Sequence, residues 1–165
     1  MDALRDHPSQ ERADVYQAFF EEFKDDPLTI QKLFVMQSSS NAETTVDDLR
    51  DLATKDFFDW KTPDHPVSLM RGLVAGYGQF HRPDGKGYEF TADMAIKMDS
   101  INPMIAARVA SPLCSWQKYS EDHQKLMVSA LKRIADQPKI GVDLREYLIK
   151  SLPEEKQEEP RLSMG

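Results

Sequence analysis

The chain has 165 residues, 30% of them charged and 40% hydrophobic, with a formal net charge of −7. That length suits one domain that buries about 70% of its unfolded surface. The acidic balance argues against a nucleic-acid surface, which needs clustered Lys and Arg; no apolar run approaches the ~20 residues of a membrane span; and one cysteine, Cys114, excludes an internal disulfide and fits a reducing compartment.

The opening "MDALRDHPSQERADV" has no apolar h-region, so no secretory signal is visible. From there the apolar spacing is helical almost throughout. Ser9 caps a predicted helix over roughly 10–25, whose stripe is Tyr16, Phe19, Phe20 and Phe23 at i, i+3, i+4 and i+7. Asp26-Pro27 starts a second helix through Ile30, Leu33 and Phe34: Asp caps, and Pro fits a first turn whose N–H groups have no helical partner. It stops in "SSSN". Thr45 with Asp48 has the spacing of a capping box for a third helix through Val46, Leu49 and Leu52. Pro66 opens a fourth through Leu69, Leu73 and Val74.

A fifth helix is predicted over 88–101, with Phe90, Met94, Met98 and Ile101 on one face. Asn102-Pro103 repeats the cap-then-Pro signature. The helix it starts runs through Ile105, Val109 and Leu113 and holds Pro112, which should kink or loosen it. Ser120 caps a long helix through Met127, Leu131 and Ile134. A last one carries Leu144, Tyr147 and Leu148. Residues 1–152 therefore form one helical domain, and the charged, Pro-broken tail 153–165 is expected to be disordered. About eight helices on short loops imply an all-α fold, an irregular superhelical stack of antiparallel helix pairs of HEAT or armadillo type. A closed helical bundle is the rival.

Few stretches could carry chemistry. "QFHRPDGKGYEF", residues 79–90, lacks G-x-x-x-x-G-K-[ST] and follows no strand, so it is no phosphate loop. Turn chemistry explains it: Asp84-Gly85 tolerates positive φ and Gly87 supplies a second flexible point. Residues 79–87 should be a loop between antiparallel helices, with Gly85 or Gly87 at positive φ. The four histidines, His7, His65, His81 and His123, include no H-E-x-x-H and no i, i+4 pair, so no metal site is expected. His81 should bond the loop backbone and His123 should be exposed. Cys114 reads as a buried core thiol. Two arginines are odd. Arg71 lies between Leu69 and Leu73, and Arg108 is the one charge between residues 100 and 117. Each is either a snorkelling or ion-paired flank residue or a group lining a cavity for an anion.

"LTIQKLFVMQSSS", "FHRPDGKGYEF", "INPMIAARVASPLCSWQKYSEDHQKLMVSALKRI" and "LREYLIKSL" resemble, in order, the C-terminal domain of the aminopeptidase N family, the bacterial and plant-type alanyl aminopeptidases. The family pattern F-H-x-x-D-G-S-G-Y-x-F falls on Phe80, His81, Asp84, Gly85, Gly87, Tyr88 and Phe90. N-P-x-x-A-x-R falls on Asn102, Pro103, Ala106 and Arg108. The resemblance covers residues 12–152. It implies an α-superhelical domain that covers the active site of a separate zinc catalytic domain and encloses a chamber reached by peptides. Within it, 79–87 is a structural connector, and Arg108, with Arg71 as a second candidate, faces the chamber. The sequence departs from the family at Leu33, where Trp is usual, at Lys86, where Ser is usual, and around 61–66.

The resemblance places zinc and its H-E-x-x-H motif in parts that this chain does not contain, so no cofactor and no peptidase activity are expected of it alone. Its expected partner is the catalytic part of an aminopeptidase. Met1 with its polar lead-in favours a separate chain, and the alternative function is a repurposed solenoid serving as scaffold in another protein assembly. The family places further helices before residue 10. Tyr16, Phe19, Phe20 and Phe23 are therefore expected to form an interaction surface.

Overall fold

The computed structural model describes residues 9–154. His7 and nearly all of the tail expected to be disordered lie outside the described residues. Eight α-helices follow one another: α1 (Gln10–Phe23), α2 (Pro27–Ser38), α3 (Thr45–Leu52), α4 (Asp64–Ala75), α5 (Lys86–Asp99), α6 (Pro103–Ala110), α7 (Glu121–Ala135) and α8 (Val142–Ser151). A 3-10 helix, Ser111–Lys118, joins α6 to α7. No strand occurs among the described residues.

Local chemistry sets most of these boundaries. Ser9 Oγ accepts the Arg12 N–H at 3.0 Å, Asp26 accepts the Thr29 N–H at 3.2 Å, and Asn102 accepts the Ile105 N–H at 3.3 Å. Each bond satisfies one of the free N–H groups of a first turn. Pro112 ends the α-helical geometry of α6: the chain tightens to 3-10 and loses helical dihedrals altogether at Ser115. Four expectations need correction. Thr45 is not a cap but the first residue of α3; its buried hydroxyl donates to the Ser40 carbonyl at 3.2 Å, while the Thr44 hydroxyl donates to Asp48. Helix α4 begins at Asp64, two residues before Pro66, which a first turn tolerates. Helix α1 ends at Phe23, and α5 spans Lys86–Asp99 rather than 88–101.

The helices fall into two layers. In one, α2, α4, α6 and α8 lie side by side in succession; in the other, α3, α5 and α7 do. The pairs α5–α6 and α7–α8 tie the layers together, and α1 closes on α2. Alternation of this kind is what stacked helix pairs produce. One pairing departs from the short-loop expectation: α4 packs chiefly on α2, not on its sequence neighbour α5. The cause is a run of small residues. A Cβ on Gly72 would stand 1.8 Å from Ser38 Oγ and 2.6 Å from the Val35 carbonyl oxygen, so only glycine permits this approach. Ser38 is fully buried there, and its hydroxyl donates to the Phe34 carbonyl at 2.7 Å. A continuous core from Tyr16 to Leu148 runs between the layers, with Phe34, Leu69, Leu73, Tyr88, Met98, Leu113 and Leu131 among its fully enclosed side chains.

Candidate functional site

Helices α4 and α6 face each other across an open groove of about 450 Å³. Val67, Met70, Arg71 and Val74 line it from α4, spaced i, i+3, i+4, i+7 and so on one helical face. Arg108 and Val109 line it from α6, and Pro112 from the 3-10 turn one helical step further on. The floor is apolar and the rim carries two guanidinium groups. Arg71 and Arg108, each odd in the sequence for its own reason, thus lie on one groove.

Both arginines are exposed, and among the described residues neither guanidinium has an ion-pair or hydrogen-bond partner. The other described arginines all do. Arg12 is buried and pairs with Asp48. Arg50 and Arg133 share Asp93, at 2.7 Å each. Arg82 holds Asp84 at 2.9 Å, and Arg145 donates to the carbonyls of Ala135 and Gln137. Two unneutralised, permanently charged, planar donors over apolar side chains suit a ligand with an anionic end and an apolar body.

The loop expected at 79–87 ends at Gly85, because Lys86 and Gly87 already belong to α5, and it is held together differently. Gly85 has φ +78, in the left-handed region, and stands just before α5. Asp84 accepts the Lys86 N–H at 3.0 Å and both Nε and Nη2 of Arg82. The Arg82 bonds, more than any other influence, hold the Asp84 carboxyl below the ordinary carboxylate range. Gly87 sits inside α5 at an ordinary φ and is required for space: a Cβ there would be 2.3 Å from the Phe80 carbonyl oxygen.

The structure corrects the expectations for the two histidines nearby. His81 does not bond the loop backbone through its ring. Its Nδ1 lies 2.5 Å from the Tyr88 hydroxyl, which also lies 3.0 Å from Nδ1 of His123. His123 is therefore half-buried rather than exposed. Burial, reinforced by His123, pushes the His81 imidazole below its ordinary value, and burial pushes the Tyr88 phenol up. Spacing alone could not reveal this set, because its members come from a loop and two helices. Cys114 is half-buried, with its sulfur over the Ala110 carbonyl and not in the deep core.

The α1 stripe divides. Tyr16 and Phe20 point into the core, Phe20 stacking on Phe57 with ring centroids 4.5 Å apart. Those two rings are covered by the chain itself and offer no surface. Phe19 and Phe23 are half-buried and stack on each other at 6.0 Å. Among the described residues no group of three or more His, Cys, Asp or Glu side chains converges as a metal site, and no helix is long and apolar enough to cross a membrane.

The family described as "Domain of unknown function (DUF3458_C) ARM repeats" matches residues 1–153. Aminopeptidase N of Caulobacter vibrioides is 30% identical over 146 residues, 86% of this chain and 16% of that protein. Aminopeptidase N of Escherichia coli is 30% identical over 138 residues, 82% of this chain and 16% of that protein. The chain thus spans about a sixth of the length of these relatives. Among solved structures, Legionella pneumophila aminopeptidase A in complex with aspartic acid superposes with a TM-score of 0.82 at 25% identity, over 90% of this chain and 17% of that one.

Proposed function

We propose, for a chain that belongs to the DUF3458_C ARM-repeat family, that it is the non-catalytic helical part of a zinc aminopeptidase, which covers the active-site chamber and shapes which peptides reach it. Its similarity to about a sixth of each aminopeptidase N leaves the metal chemistry to the remainder of such an enzyme. The catalytic part is its partner.

The observation that carries this reading is the groove between α4 and α6. A peptide held for removal of its first residue presents, at its far end, a carboxylate preceded by side chains of mixed size. Arg71 and Arg108 supply charge for the carboxylate, and Val67, Val74 and Val109 supply apolar contact for the side chains. A scaffold would use Arg108 in a structural ion pair. Among the described residues Arg108 has none, and this favours the peptide-access reading.

The test joins this chain with the catalytic part and compares peptides carrying a free C-terminal carboxylate, the same peptides amidated, and an alanyl anilide. Charge-assisted hydrogen bonds are worth about 1.5–3 kcal/mol each. The Arg71→Ala/Arg108→Ala variant should therefore raise KM for the free-acid peptides about tenfold or more. Amidated peptides and the anilide should be unaffected. An equal effect on acid and amide overturns the reading.

A further inference from the structure

Helix α4 ends against the usual rule. Gly76 caps it, and the residue after the cap takes the left-handed conformation that commonly terminates a helix. Glycine is the usual occupant of that position, because a Cβ there crowds the backbone. Here the glycines are the flanking residues, Gly76 and Gly78, and Tyr77 between them has φ +54. It is the one residue other than glycine with positive φ among the described residues. The turn is tight. Tyr77 donates its N–H to the Val74 carbonyl at 3.2 Å, and the Gly78 N–H reaches the Gly76 carbonyl at 2.6 Å. A side chain kept on strained backbone, where glycine would relax the strain, points to a use for that side chain.

The fold asks little of the ring. Tyr77 is 60% exposed, and its hydroxyl has no hydrogen-bond partner among the described residues. Tyr77 and Tyr119 each pack on the His81 ring with centroids 4.4 Å away. His81 is buried and Tyr119 half-buried, so Tyr77 is the exposed member of a three-ring cluster. The turn is also fixed from behind by the connection between α2 and α3. A Cβ on Gly76 would stand 3.0 Å from the Ser39 carbonyl oxygen, and the Gln79 amide donates to the Asn41 carbonyl at 3.3 Å. The ring is thus presented on a rigid mount, and a ligand that meets it has little to order.

That mount stands at the end of the groove. The α4 wall runs from Val67 to Ala75. Tyr77 follows Ala75 by two residues, so their Cα atoms lie no more than about 7.6 Å apart. Arg71 and Tyr77 are six residues apart, roughly 9 Å at the helical rise. An extended peptide covers that length in about three residues. Val67, Val74, Val109 and Pro112 line the groove with area but no aromatic ring. A ring laid on Tyr77 gains an aromatic contact beyond the area it buries, and an aliphatic side chain does not.

We propose that Tyr77 sets the preference of the groove: its exposed ring receives an aromatic side chain two or three residues before the carboxylate that Arg71 and Arg108 hold. The inference rests on the peptide-access reading above.

The test again joins this chain with the catalytic part and uses two free-acid peptides, Ala-Ala-Phe-Ala-Ala and Ala-Ala-Leu-Ala-Ala. Tyr77→Asn tolerates positive φ and lacks the ring. It should raise KM for the Phe peptide about 2–10-fold relative to the Leu peptide, the worth of one aromatic pair. Tyr77→Gly, which removes ring and strain together, should lose the same discrimination and keep or raise the thermal midpoint. Tyr77→Phe, which keeps the ring, should keep the discrimination. A ring that serves the fold alone gives the opposite pattern, a lower midpoint in Tyr77→Gly with discrimination intact, and overturns the proposal. An equal rise in KM for both peptides in Tyr77→Asn, or no rise in either, overturns it too. The Arg71→Ala/Arg108→Ala variant separates the two readings. If it raises KM for both peptides while Tyr77→Asn changes neither, this inference fails and peptide access stands. If it changes neither, peptide access fails and this inference falls with it.

Discussion

Helix α4 has two faces that solve opposite problems. Toward α2 it presents Ser68 and Gly72, with Gly76, the residue that caps its C-terminus, one step of four further on, and the backbones close until a Cβ on Gly76 would stand 3.0 Å from the Ser39 carbonyl oxygen. Toward α6 it presents Val67, Arg71 and Val74, and the helices stay apart around a groove of about 450 Å³. Small side chains let helices approach, where packing and burial hold them. A guanidinium cannot be enclosed without a partner, so it keeps its side open to water. The same twelve residues thus build a structural seam and a candidate site, Asp64 to Ala75.

The largest expected effect breaks the seam. Gly72→Val must displace Ser38 or the Val35 backbone and should destabilise the chain by about 3 kcal/mol in denaturant unfolding, at the upper end of overpacking costs. A loss under about 1 kcal/mol would mean that the two backbones part easily and the contrast between the faces is false. Gly85→Ala isolates a different need for glycine, conformation rather than space. With φ +78 it should cost about 1 kcal/mol or slightly more by the same measurement. An unchanged midpoint would place the loop's strain elsewhere.

Acid sharpens the comparison, because only the seam side of α4 titrates near neutrality. His65 packs edge-on against Phe34 of α2 with ring centroids 5.0 Å apart, and its Nδ1 accepts the Asp59 N–H at 2.9 Å. Burial pushes its imidazole below the ordinary 6.5, against the pull of Asp59 and Asp64. A depressed imidazole binds fewer protons folded than unfolded. Its contribution is present in full above 6.5 and fades as pH falls from there toward the folded value. Stability should therefore drop on acidification below that point, and His65→Gln should flatten the drop. The groove's arginines stay charged throughout and should add no slope.

The smallest effect belongs to the groove. Arg71→Ala and Arg108→Ala remove side chains with no partner among the described residues, and each should shift thermal stability by no more than about 0.5 kcal/mol. A loss of 2 kcal/mol at either would show that the arginine serves the fold, and the two faces would then differ less than their geometry suggests.

Much of this was readable in the sequence where the cause is local. Ser9, Asp26 and Asn102 cap helices through bonds that reach three residues ahead, and Pro112 breaks α6 by removing its own N–H. Gly85 takes the left-handed conformation that the Asp-Gly pair announced. Thr45 misled because Ser40, five residues back, took its hydroxyl. The stripe of α1 misled in part because periodicity says which rings share a face but not what covers them; Phe57, far along the chain, covers Phe20.

Helix type, helix order and most helix ends follow from the sequence by itself, since caps, prolines and apolar spacing act within one or two turns. The family match over residues 1–153 agrees with that reading of an all-α repeat fold. Tertiary structure decided the rest: that Gly72 meets Ser38 across 34 positions, that Arg71 and Arg108 share one groove, and that Tyr88 stands between His81 and His123. Each needs two or three elements brought together, and which helix lies beside which is set by the packing of whole faces, a property no single segment contains.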